Sequence, residues 1–190
     1  MIAIAIFAGM LVLFLIIGLV IYNGIISRMN AVERGWANVI TQERQKNKII
    51  PHLEKVVEDY KLYEGPVQEK ITALRTALGN LSADNVDTCG LAEAEQVSKS
   101  LMQGLQIAVE NYPDLKASQA YNNLMQEIAE QQENIGAAIR IFNQNVEDFN
   151  NGIEVFPNSL INDWFNRKQK VAVFTDAEAQ SEFEYSPNIT

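Results

Sequence analysis

The chain begins with an apolar stretch that ends only at its first charged residue, Arg28. A run of about 20 apolar residues, rising 1.5 Å per residue in a helix, matches the roughly 30 Å hydrocarbon core of a bilayer. The run passes through Tyr22 and Asn23 into an amphipathic pattern without an intervening turn signal. The pattern therefore predicts a transmembrane anchor over residues 1–27 that continues, as one helical rod, into a second domain.

A cleaved signal peptide is the main alternative interpretation of this start. It would carry basic residues before a core of about 7–15 apolar residues and small residues at a cleavage site. The sequence shows none of these features, so we expect an uncleaved, single-pass anchor. The basic residues follow the span instead, at Arg28, Arg34, Arg44, Lys46 and Lys48. The positive-inside rule then places the N-terminus outside and the domain in the cytoplasm.

The segments after the anchor keep a helical spacing of apolar residues, and no alternating strand pattern competes with it. Gly65-Pro66 ends the first segment, because glycine suits a helix C-terminus and proline the first turn of the next helix. A loop over Gly79–Gly90 separates a short second helix from a third, which runs from about Leu91 to Tyr112. The three apolar seams are Trp36, Val39, Ile50, Leu53, Val57 and Tyr60; Val67, Ile71, Leu74 and Leu78; and Ala94, Ser98, Leu101, Leu105, Ala108 and Tyr112.

The fourth helix has the clearest pattern, a heptad seam that ends at Pro157. A sustained heptad spacing predicts left-handed, coiled-coil-like packing against neighbouring helices. Gln132 is the polar position on this seam, where such residues often fix register. The seam consists of Tyr121, Met125, Ile128, Gln132, Ile135, Ile139, Phe142, Val146, Phe149, Ile153 and Phe156.

These elements predict an all-α fold, in which a single N-terminal transmembrane helix is continuous with a long antiparallel, up-down-up-down four-helix bundle. We place the anchor at residues 1–27, the bundle domain at 28–174 and an acidic, disordered tail at 175–190. The tail is assigned from its polar composition, which gives it too little apolar surface to fold.

Candidate chemistry is sparse. The formal net charge of -9 and the lack of a basic face argue against nucleic-acid binding. A di-iron site in a bundle needs Glu-x-x-His pairs, but Ile49 stands three residues before His52, the single histidine. His52 and the single cysteine, Cys89, belong to distant segments, and no phosphate-binding glycine loop is present. We therefore expect no enzyme activity, metal, cofactor or small-molecule substrate.

The ordered motifs resemble the LemA family of bacterial membrane-anchored helical proteins. The similarity is strongest at residues 110–117, Glu-Asn-Tyr-Pro-Asp-Leu-Lys-Ala, which look like the family's characteristic turn. It extends from the anchor to about Phe174 through Tyr22-Asn23, Val32, Trp36-Ala37, Ile49-Ile50-Pro51, Leu53, Val57, Tyr60, Glu133-Asn134-Ile135, Phe142-Asn143, Phe149-Asn150 and Phe156-Pro157.

The chain departs from the family pattern at a few positions. The family usually has a leucine and an arginine pair at residues 43–45, tyrosine at Phe142 and Phe149, and arginine at Ile139. Roles for tyrosine hydroxyls or a basic stripe on the fourth helix are therefore not carried over. The resemblance implies an N-out anchor in the bacterial inner (cytoplasmic) membrane, a cytoplasmic bundle and no established catalytic function.

Two surfaces are candidates for contacts with partners. Since the second and third helices are short, we expect the membrane-proximal seam to stay partly exposed and to form a homo-oligomer interface through Val32, Trp36, Val39, Val146, Phe149 and Ile153. Aromatic and basic residues suit the bilayer surface, so we expect membrane-interface contacts at Arg28, Arg34, Trp164, Phe165, Arg167, Lys168 and Lys170. The alternative for Trp164 and Phe165 is that they cover the open end of the bundle.

The functional hypothesis is a self-assembling scaffold that organises or shapes the membrane, with the lipid bilayer and further copies of the chain as partners. The alternative is a monomeric, membrane-tethered adaptor that recruits an unknown membrane or cytoplasmic protein through the bundle. Tethering favours self-assembly, because confinement to two dimensions raises the effective concentration of the copies.

Overall fold

A computed structural model describes residues 1–59, 65–110 and 112–175, and these residues form an all-α fold. No strand occurs within these ranges, which confirms the predicted fold class. The helices are α1 (Ile2–Asp59), α2 (Gly65–Asn80), α3 (Thr88–Glu110), α4 (Pro113–Lys116), α5 (Gln119–Glu154) and α6 (Asn158–Ile161), and a π-helical turn follows at Asn162–Asn166.

Helix α1 runs without interruption from the apolar start into the amphipathic sequence, as predicted. Pro51 lies inside it, so one backbone hydrogen bond of the helix is missing there. The apolar part is long and hydrophobic enough to cross a bilayer, and none of its most apolar window is buried within the chain.

Side-chain caps mark the starts of α3 and α5. Asp87 Oδ1 accepts a hydrogen bond from the Gly90 N–H at 2.9 Å, and α3 therefore begins at Thr88, slightly before the predicted start. Ser118 Oγ accepts from the Tyr121 N–H at 3.2 Å and caps α5. Such caps satisfy N–H groups that have no partner inside the helix.

The chain divides into two compact units. Unit one comprises Met1–Gly35 and Ile141–Val173, and unit two comprises Trp36–Arg140 and Phe174–Thr190. The predicted boundary between anchor and bundle, and the up-down-up-down order of the helices, stay predictions. The predicted disordered tail lies, apart from Thr175, outside the described residues.

Unit two is built around α2 and α3, which pack against each other. The loop after α2 is fixed to α1, because the Trp36 indole donates to the Ser82 carbonyl at 2.9 Å and the Arg44 guanidinium to the Leu81 carbonyl at 2.7 Å. Most predicted seam positions are buried here: Trp36, Val39, Ile50, Leu53 and Val57 on α1, Val67, Ile71, Leu74 and Leu78 on α2, and Ala94, Leu101 and Leu105 on α3. Two positions of the third predicted seam differ, since Ser98 is half-buried and Tyr112 is exposed. The seam position Tyr60 lies outside the described residues, and so does the burial of the Ala108 side chain.

The buried face of α5 corrects one prediction. Gln132 is exposed, and the buried polar residue is its neighbour Gln131, whose amide donates to the Gln42 carbonyl at 2.7 Å. A strict heptad pattern assumes 3.5 residues per turn, whereas a straight α-helix drifts by about 20° per heptad. The buried face of α5 therefore matches the predicted seam from Phe142 to Ile153 and is rotated away from it towards the start of the helix. The last predicted seam position, Phe156, is exposed, because α5 ends at Glu154.

In unit one, α1 and α5 approach each other closely at Gly35. A Cβ added there would lie 3.2 Å from the Phe142 Cα and 3.0 Å from the Asn145 amide nitrogen. The same amide donates to the Ala31 carbonyl at 3.1 Å. The absence of a side chain at Gly35 therefore lets the two backbones meet.

Candidate functional site

Residues 155–168, which we call the C-terminal turn, lie against α1 in unit one. Ile161 Cδ1 is 3.8 Å from the position that a Cβ on Gly18 would occupy. The Asn166 amide donates to the Tyr22 carbonyl at 3.3 Å. Both α1 residues belong to the end of the apolar run, so the turn packs where the predicted membrane span ends.

Asn162 holds the turn in shape. It is buried, its amide donates to the Lys168 carbonyl at 3.0 Å, and its oxygen accepts from the Lys168 N–H at 3.0 Å. Between them, Arg167 adopts a left-handed backbone with φ of 50°, and its N–H donates to the Asn162 carbonyl at 2.6 Å. A left-handed non-glycine residue is uncommon and persists where surrounding bonds enforce it.

A second asparagine attaches the chain beyond the turn to α5. The Asn150 amide donates to the Val171 carbonyl at 2.8 Å, and the Asn150 oxygen accepts from the Val171 N–H at 3.0 Å. Lys170 forms an ion pair with Glu154 on the same helix. Residues 169–173, which we call the return segment, therefore run back beside α5 as a third element of unit one.

The C-terminal turn carries the main exposed apolar surface outside the span. Trp164 is 71% exposed and Phe165 is 65% exposed, and three further apolar residues of the turn are also exposed. Elsewhere beyond the span, the large exposed apolar side chains of the described residues are dispersed: Ile107, Tyr112, Ile141 and Val173. The exposed members of the turn are Val155, Phe156, Leu160, Trp164 and Phe165.

A groove of about 270 Å³ separates the C-terminal turn from α1. Lys168 is the charged residue among those that line it. Its remaining lining is a mixture of apolar and neutral polar side chains: Tyr22, Ile26, Met29, Asn30, Phe165 and Asn166. We call this the α1–turn groove.

The structure brings together part of the predicted membrane-interface set. Trp164, Phe165 and Lys168 lie in the turn beside α1, and Arg167 is the exposed left-handed residue next to them. Arg28 is exposed and crosses α5 at Gly152, where an added Cβ would lie 2.8 Å from the Arg28 Cδ. Arg34 is exposed on α1, and Lys170 forms an ion pair with Glu154. Whether these residues contact lipid stays a prediction.

The expected exposure of the oligomer seam is wrong. Val32, Val146, Phe149 and Ile153 are buried within unit one, and Trp36 and Val39 are buried within unit two, all at 6% exposure or less. The prediction assumed that only α1 and α5 build the proximal part of the chain. The C-terminal turn and the return segment belong to unit one, together with the seam residues Val32, Val146, Phe149 and Ile153. The sequence pattern did not place the two segments there.

A buried polar cluster in unit two surrounds Glu43, whose side chain has no solvent exposure. Lys46 Nζ lies 2.8 Å from Glu43 Oε2 and 3.7 Å from Glu95 Oε1, and it donates to Ser98 Oγ at 3.2 Å. The Glu43 contact is an ion pair, since neither Glu43 oxygen has an aligned hydrogen-bond donor among the described residues. Burial raises the pKa of Glu43 to about 7, Lys46 opposes the rise, and Glu95 adds to it.

In the described part of the chain, the other candidate catalytic or metal-binding side chains do not lie together. His52 is exposed and lies 2.9 Å from Glu127, and Cys89 is exposed in the first turn of α3. Among the described residues, no group of three or more His, Cys, Asp or Glu side chains is arranged to hold a metal ion. In the turn between α3 and α5, Leu115 is fully buried, which is a structural role.

Sequence reasoning missed the asparagines that build this site. Asn158, whose amide donates to the Gly152 carbonyl at 2.9 Å, belongs with Asn162 and Asn166 to a series spaced by four residues. That spacing places three amides on one side of a helical turn. It was the available signal, because asparagine amides commonly bond to nearby backbone groups.

Comparison with known proteins agrees with the resemblance in the sequence. The family model described as "LemA family" matches residues 35–189. A protein named "Protein LemA" from Metamycoplasma hominis is 28% identical over 134 residues, which cover 70% of this chain. The chain spans 60% of the length of that relative. Because the family model matches most of the chain, this protein belongs to the LemA family.

Proposed function

We propose that the chain is a non-enzymatic, single-pass protein of the bacterial cytoplasmic membrane that self-assembles at the membrane surface as a membrane-organising scaffold. The observation that carries the proposal is the packing of the C-terminal turn on α1 at the end of the apolar run. This packing gives unit one a second surface suited to the bilayer, beside the span itself.

The chemistry of the turn supports a membrane contact. Tryptophan and phenylalanine have favourable places at the headgroup level, where lysine and arginine meet the phosphates. Trp164 and Phe165 are exposed in the turn whose Asn166 amide donates to the Tyr22 carbonyl, and Arg167 and Lys168 follow closely in the chain. Soluble proteins seldom expose several large aromatic side chains together, so we expect a membrane to cover these residues.

A two-point attachment has a consequence for assembly. The tilt and rotation of a single span are set by interfacial aromatic and basic anchors. Copies held by both the span and the C-terminal turn would present the same face to each other within the membrane plane. Confinement to that plane raises their effective concentration, which favours lateral assembly. The basic residues after the span support an outside N-terminus.

The absence of an enzymatic role is part of the proposal. Acid–base catalysis needs polar groups that reach a substrate, whereas Glu43 is fully buried and paired with Lys46. The exposed His52 is paired with Glu127 on the surface. A scaffold needs only the folded bundle and its membrane attachment.

The alternative is a monomeric, membrane-tethered adaptor, and the burial of the proximal seam favours it. The seam that was expected to join neighbouring copies is already packed inside one chain. The native size of the detergent-extracted full-length protein, measured over a range of concentrations, separates the two functions. The scaffold predicts a species larger than a monomer, and a monomer at every concentration would leave the adaptor.

A further inference from the structure

We propose that the α1–turn groove binds the headgroup of a phospholipid that carries a hydrogen-bond donor. Lys168 receives the phosphate, and the side-chain oxygen of Asn166 receives the donor. The inference rests on the proposed function to the extent that α1 must lie in a membrane for lipid headgroups to reach the groove.

The position of the groove fits this ligand. Its α1 wall is Tyr22 and Ile26, which lie near the end of the predicted anchor, and Met29 and Asn30, which directly follow Arg28. If residues 1–21 fill the hydrocarbon core, this wall lies at the level of the headgroups. The groove is therefore open where phosphate, glycerol and headgroup amines are concentrated.

The lining offers suitable contacts for each part of a phospholipid. Ile26, Met29 and Phe165 supply apolar surface for the glycerol end of the acyl chains. Lys168 supplies a cation for the phosphate. None of the described residues that line the groove is acidic, so no carboxylate repels the phosphate. A phosphate beside an exposed lysine at the membrane surface gains both a charge-assisted hydrogen bond and Coulomb attraction.

Asn166 gives the site its selectivity. Its Oδ1 is buried and has no hydrogen-bond donor among the described residues. A buried acceptor without a donor destabilises the side-chain conformation that holds it there. Within the described ranges, the partner of its amide nitrogen is the Tyr22 carbonyl at 3.3 Å, which is longer than usual for a hydrogen bond. A rotation of the amide towards the groove therefore loses one weak bond and lets the oxygen accept from a ligand.

That geometry predicts which lipids bind. The ammonium group of phosphatidylethanolamine and the hydroxyl groups of phosphatidylglycerol donate hydrogen bonds. The trimethylammonium group of phosphatidylcholine has no N–H and does not. One net hydrogen bond corresponds to a preference of roughly fivefold for the donating headgroups.

Native mass spectrometry of the full-length protein in detergent tests this assignment, with the three lipids added separately and carrying identical acyl chains. We expect phosphatidylethanolamine and phosphatidylglycerol to be retained roughly fivefold more than phosphatidylcholine. Asn166→Leu removes this preference, whereas the matched control Asn122→Leu, at an exposed position of α5, keeps it. Lys168→Ala lowers retention of all three lipids alike, because each carries the phosphate.

Equal retention of phosphatidylcholine by the unmodified protein, or an unchanged preference in Asn166→Leu, overturns the assignment. Displacement of the lipid by millimolar glycerophosphoethanolamine overturns the lipid as the natural occupant, since that compound has the headgroup without acyl chains. Lys168 is exposed, so its variant reports on the site even if Asn166→Leu misfolds. The same spectra count the protomers. A monomer that keeps the Asn166-dependent lipid preference would overturn the proposed scaffold function but not the lipid site. An oligomer without that preference would overturn the lipid site but not the scaffold function.

Discussion

The side chain of Asn150 forms a pair of hydrogen bonds with the backbone of Val171, donating to its carbonyl at 2.8 Å and accepting from its N–H at 3.0 Å. The Asn150 side chain thus bonds to both backbone groups of Val171, as a residue on a neighbouring β-strand would. It joins the return segment, residues 169–173, to α5 within unit one.

Asn150→Ala should release the return segment. The loss of two partly buried hydrogen bonds costs about 1–3 kcal/mol of local stability, because the Val171 backbone groups lose their partners. Hydrogen exchange at the Val171 amide measures this opening directly. The neighbouring Asn151→Ala, at an exposed position, should leave that exchange rate unchanged. Equal protection of Val171 in both variants would show that the pair does not hold the segment.

Gly35→Ala should destabilise unit one although alanine is the better helix former. The added methyl group would lie 3.2 Å from the Phe142 Cα, so α1 and α5 must separate. Overpacking of this kind costs about 1–3 kcal/mol, against a gain in helix propensity of about 1 kcal/mol. Gly136→Ala is the matched control within α5, since its new methyl group would meet only the Arg140 side chain at 3.5 Å. Thermal unfolding should order the proteins as Gly136→Ala, unmodified chain and Gly35→Ala, from most to least stable.

The pKa of Glu43 predicts a pH dependence with a definite sign. The carboxyl has a pKa of 4.5 as its unperturbed value and about 7 in the folded chain. Between these values the folded state binds more protons than the unfolded state, so the stability falls as the pH rises from about 4.5 to 7. The full loss is on the order of 3 kcal/mol.

Urea unfolding of the detergent-solubilised protein at pH 5 and pH 8 measures this loss. Glu43→Gln should remove most of the difference between the two pH values, because the amide does not titrate. Glu130→Gln, at an exposed position of α5, should keep the difference. A pH dependence that is the same in all three proteins would mean that Glu43 does not titrate in this range.

Charged substitutions separate the buried seam from the exposed turn. Phe149 is fully buried and Phe165 is 65% exposed, so the two residues form a matched pair in unit one. Phe149→Glu should unfold the unit, since removal of a buried phenylalanine costs about 3–5 kcal/mol and an unpaired buried charge adds to this. Phe165→Glu should keep the helical circular dichroism signal. If Phe149→Glu kept its stability and lost only assembly, the seam would be an interface after all.

The sequence was sufficient to predict the all-α fold, because apolar spacing near 3.6 residues identifies a helix whatever it packs against. The same spacing also located the buried faces of α1 and α2. It could not locate the return segment, since the Asn150–Val171 pair joins residues 21 positions apart through side-chain bonds that leave no periodic pattern. The prediction of an exposed proximal seam was therefore made without this segment of unit one.

The membrane-facing residues illustrate the same limit. Trp164, Phe165 and Lys168 were predictable as a class, since aromatic and basic residues together are typical of a bilayer surface. Their position beside Tyr22 depends on Asn162 and Asn166, whose bonds to Lys168 and Tyr22 fold the turn back onto α1. The raised pKa of Glu43 was not predicted from the sequence, because it depends on the burial of the carboxyl and on its distances to Lys46 and Glu95.

The central claim is that the C-terminal turn is a second membrane contact beside the span, and tryptophan quenching tests it most directly. The chain has two tryptophans, so Trp36→Phe leaves only Trp164 and Trp164→Phe leaves only Trp36. Each variant is reconstituted into vesicles whose lipids carry bromine near the headgroup end of the acyl chains. We predict strong quenching of Trp164, which is exposed in the turn, and little quenching of Trp36, which is buried in unit two. Quenching of Trp164 no greater than that of Trp36 would contradict the account.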